Sequence, residues 1–338
     1  MSAGVYITVD VECSMGGAWD DPSLRPVSPD RAVWGRFGRR RLGLPLICDA
    51  LCEHGLKATF FVDAFMAEQG FEGAEEEICR YLLDRGQDVQ LHVHPNHMHY
   101  ALHLAGKPHP FTDRMDDLPA EQQRALLEEG MERLRGCTGR RPVAFRAGNM
   151  AANEQTLQQV AAAGLRIDSS YTFPYAGGQC GFSPAEPYNG TRWYGDVLEL
   201  ALSGFRQARV PGLQKAKPLD LVGVSFAECR QAVEQICAAG AEAVLILHSF
   251  SLFKVRNSRY DAGTPNRVVI RRLRALCRWL SARGNALPIG TCAGLADCID
   301  RGAHTEMAVA PCALTRPADA CGAIVRKAVQ AANAVRWR

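Results

Sequence analysis

The chain has 338 residues, of which 47% are hydrophobic and 22% charged, and its formal net charge is +3. That length suits one large α/β domain or two small ones, and the composition is that of an ordinary globular enzyme rather than a disordered or fibrous chain. The charge is too small to argue for a nucleic-acid partner, no apolar run approaches the roughly 20 residues that span a bilayer, and the N-terminus lacks the apolar core of an export signal, so a cytoplasmic protein with no membrane span is expected.

Along the chain, short apolar runs alternate with amphipathic helices. Residues 5–9 read as a strand, 42–54 as a helix closed by Gly55, and 58–62 as the next strand. Residues 74–85 suit a helix closed by Gly86, and 88–92 a third strand. A helix from about 120 to 134 precedes a fourth strand at 143–146. A helix at 154–163, closed by Gly164, precedes a short fifth strand at 165–169. Between 171 and 220 the pattern blurs into Gly, Pro and aromatic residues, with one strand at 197–200. Ser225-Phe226-Ala227-Glu228 is a capping box that opens a helix ending before Gly240. Residues 244–248 form a buried strand. Thr264-Pro265 starts a helix to about Ala282, with Val269, Leu273, Leu276 and Leu280 on one face, and 286–290 closes the set. Such alternation means parallel strands with helical crossovers. Roughly seven strands predict an α/β fold in the form of a seven-stranded barrel, complete or incomplete, rather than an open sheet, over residues 1–300. Residues 301–338 read as an appendage able to carry an amphipathic helix between Ala318 and Val335.

Thirteen cysteines are scattered from Cys13 to Cys321 without a CxxC pair, which argues against zinc ribbons and for small apolar core residues under reducing conditions. The basic runs at Arg36, Arg39, Arg40 and Arg41, and at Arg267, Arg271, Arg272, Arg274 and Arg278, read as a solvated loop and a solvated helix face. The competing reading of both is an anionic handle on a substrate, such as a phosphate.

Reactive groups in parallel α/β folds gather at the C-terminal ends of strands. The first strand ends Thr8-Val9-Asp10-Val11-Glu12, and alternation puts Thr8, Asp10 and Glu12 on one face. Two carboxylates on one buried face need a cation or an arginine between them; the competing reading is a surface strand end with two solvated acids. The third strand ends Gln90-Leu91-His92-Val93-His94, Pro95 stops it, and six of the nine histidines lie between His92 and His109. Imidazoles joined by a carboxylate from another strand suit zinc or a similar divalent metal, although any single histidine here could be structural. The fourth strand ends Phe145-Arg146-Ala147-Gly148, and a buried arginine needs an acidic partner, for which Asp10 is the natural candidate. The fifth strand gives Asp168-Ser169-Ser170. The late strand ends Leu247-His248-Ser249, where His248 is either a satisfied core histidine or part of the site.

The succession Thr-x-Asp-x-Glu, His-x-His-Pro, Phe-Arg-Ala-Gly, Asp-Ser-Ser and Leu-His-Ser resembles the polysaccharide deacetylases of carbohydrate esterase family four, over residues 4–300. The resemblance implies a distorted (β/α) barrel with one divalent metal, zinc first and cobalt or nickel as alternatives. Asp10 matches the family's catalytic base, Arg146 the arginine that orients it, and His248 the general acid. The family's metal-binding acid commonly follows the base directly. Val11 stands there, so Glu12 becomes the candidate ligand, as in an Asp-x-Glu variant branch. His92 matches the first metal histidine; the second lies four positions later, where this chain has Asn96, which leaves His94 and His97 as candidates.

The implied reaction removes an N-acyl group, N-acetyl in the first instance, from an amino sugar. In that reaction the metal would polarise the amide carbonyl and acidify a water, Asp10 would take the proton, and His248 would protonate the leaving amine. A cytoplasmic enzyme of this kind needs a small N-acylated sugar, a sugar nucleotide, a lipid-linked precursor, a glycoconjugate or an antibiotic intermediate as its partner. Tyr171, Phe173, Tyr175, Tyr188, Trp193 and Tyr194, with Trp34 and Phe37, are placed either to stack on sugar faces or to pack the loops. Two competing readings are a metal-dependent hydrolase of another C–N amide or cyclic ureide, and an inactive glycan-binding barrel, which Asn96 motivates.

Overall fold

The structure is a computed structural model that describes residues 3–207 and 216–314. The helix expected between Ala318 and Val335 lies outside the described residues.

Strand β1 (Val5–Val11) is buried along its whole length, as a strand covered on both faces must be. It is followed by α1 (Leu44–Cys52), β2 (Thr59–Asp63), α2 (Ala74–Leu83) and β3 (Asp88–Val93). Then come α3 (Pro95–Leu104), α4 (Ala120–Thr138), β4 (Ala144–Ala147), α5 (Glu154–Ala162) and β5 (Ile167–Asp168). A hairpin of β6 (Asn189–Tyr194) and β7 (Val197–Ala201) leads to α6 (Phe226–Ala238) and β8 (Ala243–His248). The chain continues through α7 (Arg267–Arg283), β9 (Ile289–Gly290), α8 (Cys292–Asp300) and β10 (Ala308–Val309).

Seven strands run parallel in the order β8-β1-β2-β3-β4-β5-β7. Strands β6 and β10 extend the sheet antiparallel beyond β7, and β9 lies beside the start of β1. The two ends of the sheet meet through connecting chain rather than a continuous ladder. The Ser203 N–H donates to the Val244 carbonyl at 3.1 Å, and the Ile246 N–H donates to the Leu219 carbonyl at 3.1 Å. The result is the seven-stranded barrel expected from the alternation, distorted as the resemblance implies, with a seam filled by irregular backbone.

The helices bury their apolar stripes against the sheet and one another. In α7 the buried face carries Val269, Leu273, Leu276 and Leu280, the set that the 3.6-residue period marks out. Ser225 and Glu228 form the capping box at the start of α6, each side chain satisfying the other's backbone N–H. Gly164 and Gly240 follow α5 and α6 with φ of 85° and 91°, a conformation that costs a glycine little. Among the described residues the cysteines are free thiols, most of them buried in the core.

Several elements differ from the sequence reading. Pro95 ends β3 and also opens α3, because a proline at the first helical turn gives up an N–H that has no helical partner anyway. Residues around Thr264-Pro265 pair as a short strand, Gly263–Pro265, with Phe253–Val255, and α7 begins only at Arg267. Helix α8 was not visible as a period, and its start is fixed by the Thr291 side chain accepting from the Gly294 N–H. Residues 301–314 run along the barrel, with β10 paired to β6 and Cys312–Ala313 paired beside Gly204–Arg206.

Candidate metal centre and active site

Strand register brings the polar strand ends level. Asp10 of β1 is opposite His248 of β8, and His92 of β3 is flanked by Asp63 of β2 and Arg146 of β4. All of them stand at the C-terminal mouth of the barrel.

Arg146 organises the floor of this mouth. It is fully buried and spends its donors on four acceptors: Asp10 Oδ1 at 2.7 Å, Thr8 Oγ1 at 2.9 Å, the Ser169 carbonyl at 2.9 Å and Ser169 Oγ at 2.9 Å. Its guanidinium also lies over the Phe61 ring, 4.2 Å from the centroid. A buried guanidinium is tolerable only when it is paired and hydrogen-bonded, and both conditions hold here. The Asp168-Ser169-Ser170 motif supplies much of that cradle. Ser170 Oγ donates to Asp168 and accepts from the Ala147 N–H, so it ties β5 to β4 beside the arginine.

Above the floor, Glu12, His92 and His94 converge, each offering a ligand atom within 4.8 Å of the others. Glu12 Oε2 lies 3.1 Å from His92 Nε2 and 2.6 Å from His94 Nε2. The opposite nitrogens are engaged elsewhere. His92 Nδ1 donates to the Arg146 carbonyl at 2.9 Å, and His94 Nδ1 donates to the Asp113 carboxylate at 3.0 and 3.1 Å. Those partners fix the ring orientation and leave both Nε2 atoms facing one carboxylate oxygen.

Such a face needs positive charge. Burial alone would push the His94 imidazole down, but the carboxylates of Asp113 and Glu12 outweigh it and hold it well above its ordinary pKa. Burial likewise works against the ionised Glu12, yet His94 and His92 hold its carboxyl well below the ordinary range. Two imidazoles and a carboxylate, oriented by an outer carbonyl and an outer carboxylate, are a donor set that fits a divalent cation of the zinc type.

His97 lies apart from that trio. Its Nδ1 is 2.6 Å from Asp63 Oδ2, and its ring stacks on His94 with centroids 4.7 Å apart. Asn96 is buried, and its Oδ1 has no protein partner. His248 Nε2 stands 3.9 Å from both Asp10 Oδ2 and Glu12 Oε1, outside hydrogen-bond range, with its ring stacked on Phe250.

A cavity of about 150 Å³ opens between these groups, lined in part by Asp10, Glu12, His92, Tyr175, Asp220 and His248. A larger cavity of about 1030 Å³ lies at the opposite end of the strands, around Tyr6, Glu242 and Gly290. Among the described residues no three ligand atoms come within 4.8 Å of one another there, so volume alone does not mark the site.

Three carboxylates escaped the sequence reading. Asp113 and Asp220 come from irregular chain with no period to flag them, and burial pushes the Asp220 carboxyl up. Asp63 ends β2, so the strand-end rule could have found it. Gly148 packs against the His94 ring so closely that a Cβ there would stand 2.5 Å from it. The next two residues, Asn149 and Met150, line the cavity with φ of 56° and 58°, the kind of backbone strain that collects at functional sites.

Most of the aromatic residues considered for sugar stacking are structural. Tyr171, Tyr188, Phe173, Trp34 and Phe37 are buried, and Tyr171 stacks on Tyr188 at 4.4 Å. Tyr175 is 38% exposed and borders the cavity. No helix among the described residues is long and apolar enough to cross a membrane.

Residues 41–167 match the family model for polysaccharide deacetylase. Among solved structures, one from Mycobacterium smegmatis assigned as a polysaccharide deacetylase is 19% identical, with 94% of each chain covered and a TM-score of 0.54. A family 4 carbohydrate esterase from Streptomyces lividans in complex with acetate is 16% identical, covering 91% of this chain and 98% of that one, at a TM-score of 0.44. A family 4 pseudoenzyme from Bacillus anthracis is 13% identical, covering 86% of this chain and 64% of that one, at a TM-score of 0.40. The first of these speaks for the fold. No curated protein matches the chain.

Proposed function

We propose, from the polysaccharide deacetylase match over residues 41–167 and the shared fold, that the chain is a hydrolase acting on the C–N amide bond of acetylated sugars and removes an N-acyl group, N-acetyl in the first instance, from an amino sugar. One observation carries the reading. An arginine-held carboxylate, two members of a Glu-His-His cluster and the His248 imidazole border one small cavity.

Glu12, His92 and His94 would hold one divalent cation, zinc by donor type with cobalt or nickel as alternatives, which when bound supplies a Lewis acid that polarises the amide carbonyl and acidifies water. Asp10 accepts the proton of the attacking water at Oδ2. Its other oxygen is held by Arg146 at 2.7 Å, which fixes the direction of the free one. Arg146 therefore acts through Asp10. His248 Nε2, 3.9 Å from Asp10 Oδ2, gives its proton to the departing nitrogen, which as an amide anion could not leave.

The cavity is small by the standard of ligand pockets, so it suits an acylamino group with the ring that bears it rather than a run of sugars. Tyr175 offers a ring face at its rim. That size favours small N-acylated sugars, sugar nucleotides and exposed glycoconjugate ends as substrates, and we place the protein in the cytoplasm with them.

The test is Asp10→Asn, assayed by amine release from N-acetylglucosamine derivatives and by metal content. Turnover should vanish while bound metal stays near the wild-type level. Loss of metal would make Asp10 a ligand and reverse the assignment. Turnover of cyclic ureides in place of acylated sugars would favour the other amide-hydrolase reading, and an unmetallated, inactive wild type would favour a glycan-binding barrel.

A further inference from the structure

A second group of histidines lies outside this site. Helix α3 carries His99 and His103 four residues apart, which puts them on one face, and the chain that follows folds back to bring His109 beside them. His103 Nδ1 and His109 Nε2 face each other at 3.3 Å. His109 Nδ1 donates to the Lys107 carbonyl at 2.8 Å, so its lone pair is on Nε2, which accepts the His103 Nδ1–H; a bound cation would take the place of that proton, with His103 in its other tautomer. A backbone carbonyl that fixes the tautomer in this way is the usual outer support of a metal-binding imidazole.

The separation is informative. Two nitrogens bound tetrahedrally to zinc at about 2.0–2.1 Å stand roughly 3.3 Å apart. The two rings meet edge to face, at 81°, with centroids 5.2 Å apart. His99 is the third imidazole. Its ring lies 6.4 Å from that of His109, and its buried Nδ1 has no protein partner. Trp19 roofs the group, stacked on His103 at 4.6 Å and edge-on to His109 at 5.5 Å, and Phe111 stacks on Trp19 at 5.0 Å.

We propose that His103 and His109 form a preset two-imidazole clamp for a second divalent cation, with His99 rotating about its side-chain bonds to become the third ligand. A donor set of neutral imidazoles selects zinc, nickel or copper(II) and discriminates against calcium and magnesium, which take oxygen ligands. The site is separate from the Glu12 cluster, which uses none of these residues.

Copper(II) itself is the probe, because a bound copper quenches a tryptophan in contact with its ligand and Trp19 touches His103. Chelator-stripped full-length protein, dialysed against copper(II) or zinc and analysed by elemental mass spectrometry, should bind about two equivalents, with tryptophan fluorescence falling as copper is added. The variant His103→Ala with His109→Ala, half-exposed positions, should bind about one equivalent fewer and lose most of the quenching. Trp19→Phe should keep the stoichiometry and lose the quenching. Glu12→Gln with His92→Ala should lose the other equivalent and keep the quenching, so failure of the first site and failure of this one are told apart. Equal occupancy in the wild type and the His103→Ala, His109→Ala variant, or quenching that survives in that variant, overturns the proposal and leaves a packed histidine pair under Trp19.

Discussion

Removing the Asp113 carboxylate decides which histidine completes the Glu12 cluster. His94 Nδ1 is 3.0 and 3.1 Å from the two Asp113 oxygens, whereas His97 Nδ1 is 2.6 Å from Asp63. If His94 is the ligand, Asp113→Ala takes away the acceptor that fixes its tautomer and raises its basicity. Outer partners of this kind are worth roughly 10–100-fold in metal affinity, or about 1.4–2.7 kcal/mol. The Asp113 side chain is 29% exposed, so water can take up the freed N–H, which puts the expected loss near the lower end, about tenfold. His94→Ala removes a ligand outright and should abolish tight binding. His97→Ala should leave affinity within about threefold of wild type, since His97 stacks on the His94 ring and hydrogen-bonds Asp63 rather than Glu12. The assay is competition against a chelator of known affinity, with circular dichroism to confirm that each variant is folded. Wild-type affinity in Asp113→Ala and His94→Ala, with loss in His97→Ala, would refute the reasoning and make His97 the ligand.

Other expectations can be checked with the same proteins. Gly148→Ala should weaken metal binding by about tenfold or more, since the new methyl would force the His94 ring aside, and unchanged affinity in the competition assay would show that the ring can yield without cost. His248→Ala should lower the deacetylation rate by about 10²–10⁴ with metal retained, and an unaffected rate would remove His248 from the mechanism. Glu199 is fully buried on β7 against Asp168, and burial together with that neighbour holds its carboxyl well above the ordinary value of 4.5. The folded state therefore keeps a proton that the unfolded chain gives up above about pH 4.5, and stability declines as pH rises from there toward the folded pKa, by up to about 1.4 kcal/mol per pH unit. Glu199→Gln should flatten that slope in denaturant titrations across pH 5–8, and equal slopes in the two proteins would show that Glu199 does not hold the proton.

The barrel was legible because its strands are short apolar runs bounded by helix periods and glycine stops. The seven parallel strands fall where those runs fall, from Val5–Val11 to Ala243–His248. What stayed hidden has no period to read. The seam strand Gly204–Arg206 and the strand Ala216–Pro218 are three residues each, and the crossing at Ser203 and Leu219 depends on hydrogen bonds to Val244 and Ile246 far along the chain. Helix α3 carries no apolar stripe to read, because histidines and Asn96 occupy much of it and Pro95 opens it.

The candidate site divides along the same physical line. Strand alternation delivers Thr8, Asp10 and Glu12 to one side, where Arg146 takes the first two and the histidines take the third. It also bears on the open choice between His94 and His97. His94 keeps an extended backbone, φ −109° and ψ 114°, so the two-residue period of β3 persists one step past the strand and both His92 and His94 turn their Nε2 atoms to Glu12. Three residues on, the chain is already helical, and His97 belongs to the first turn of α3, where a different face leads it to Asp63. A spacing of two along a strand can bring two imidazoles to one carboxylate, which is how a chain with Asn96 at the usual position can still assemble a three-ligand face. The acids behind those imidazoles are another matter. Asp113 is placed by a loop whose sequence carries no sign of its target, and only the folded chain shows that the orientation of His94 depends on it.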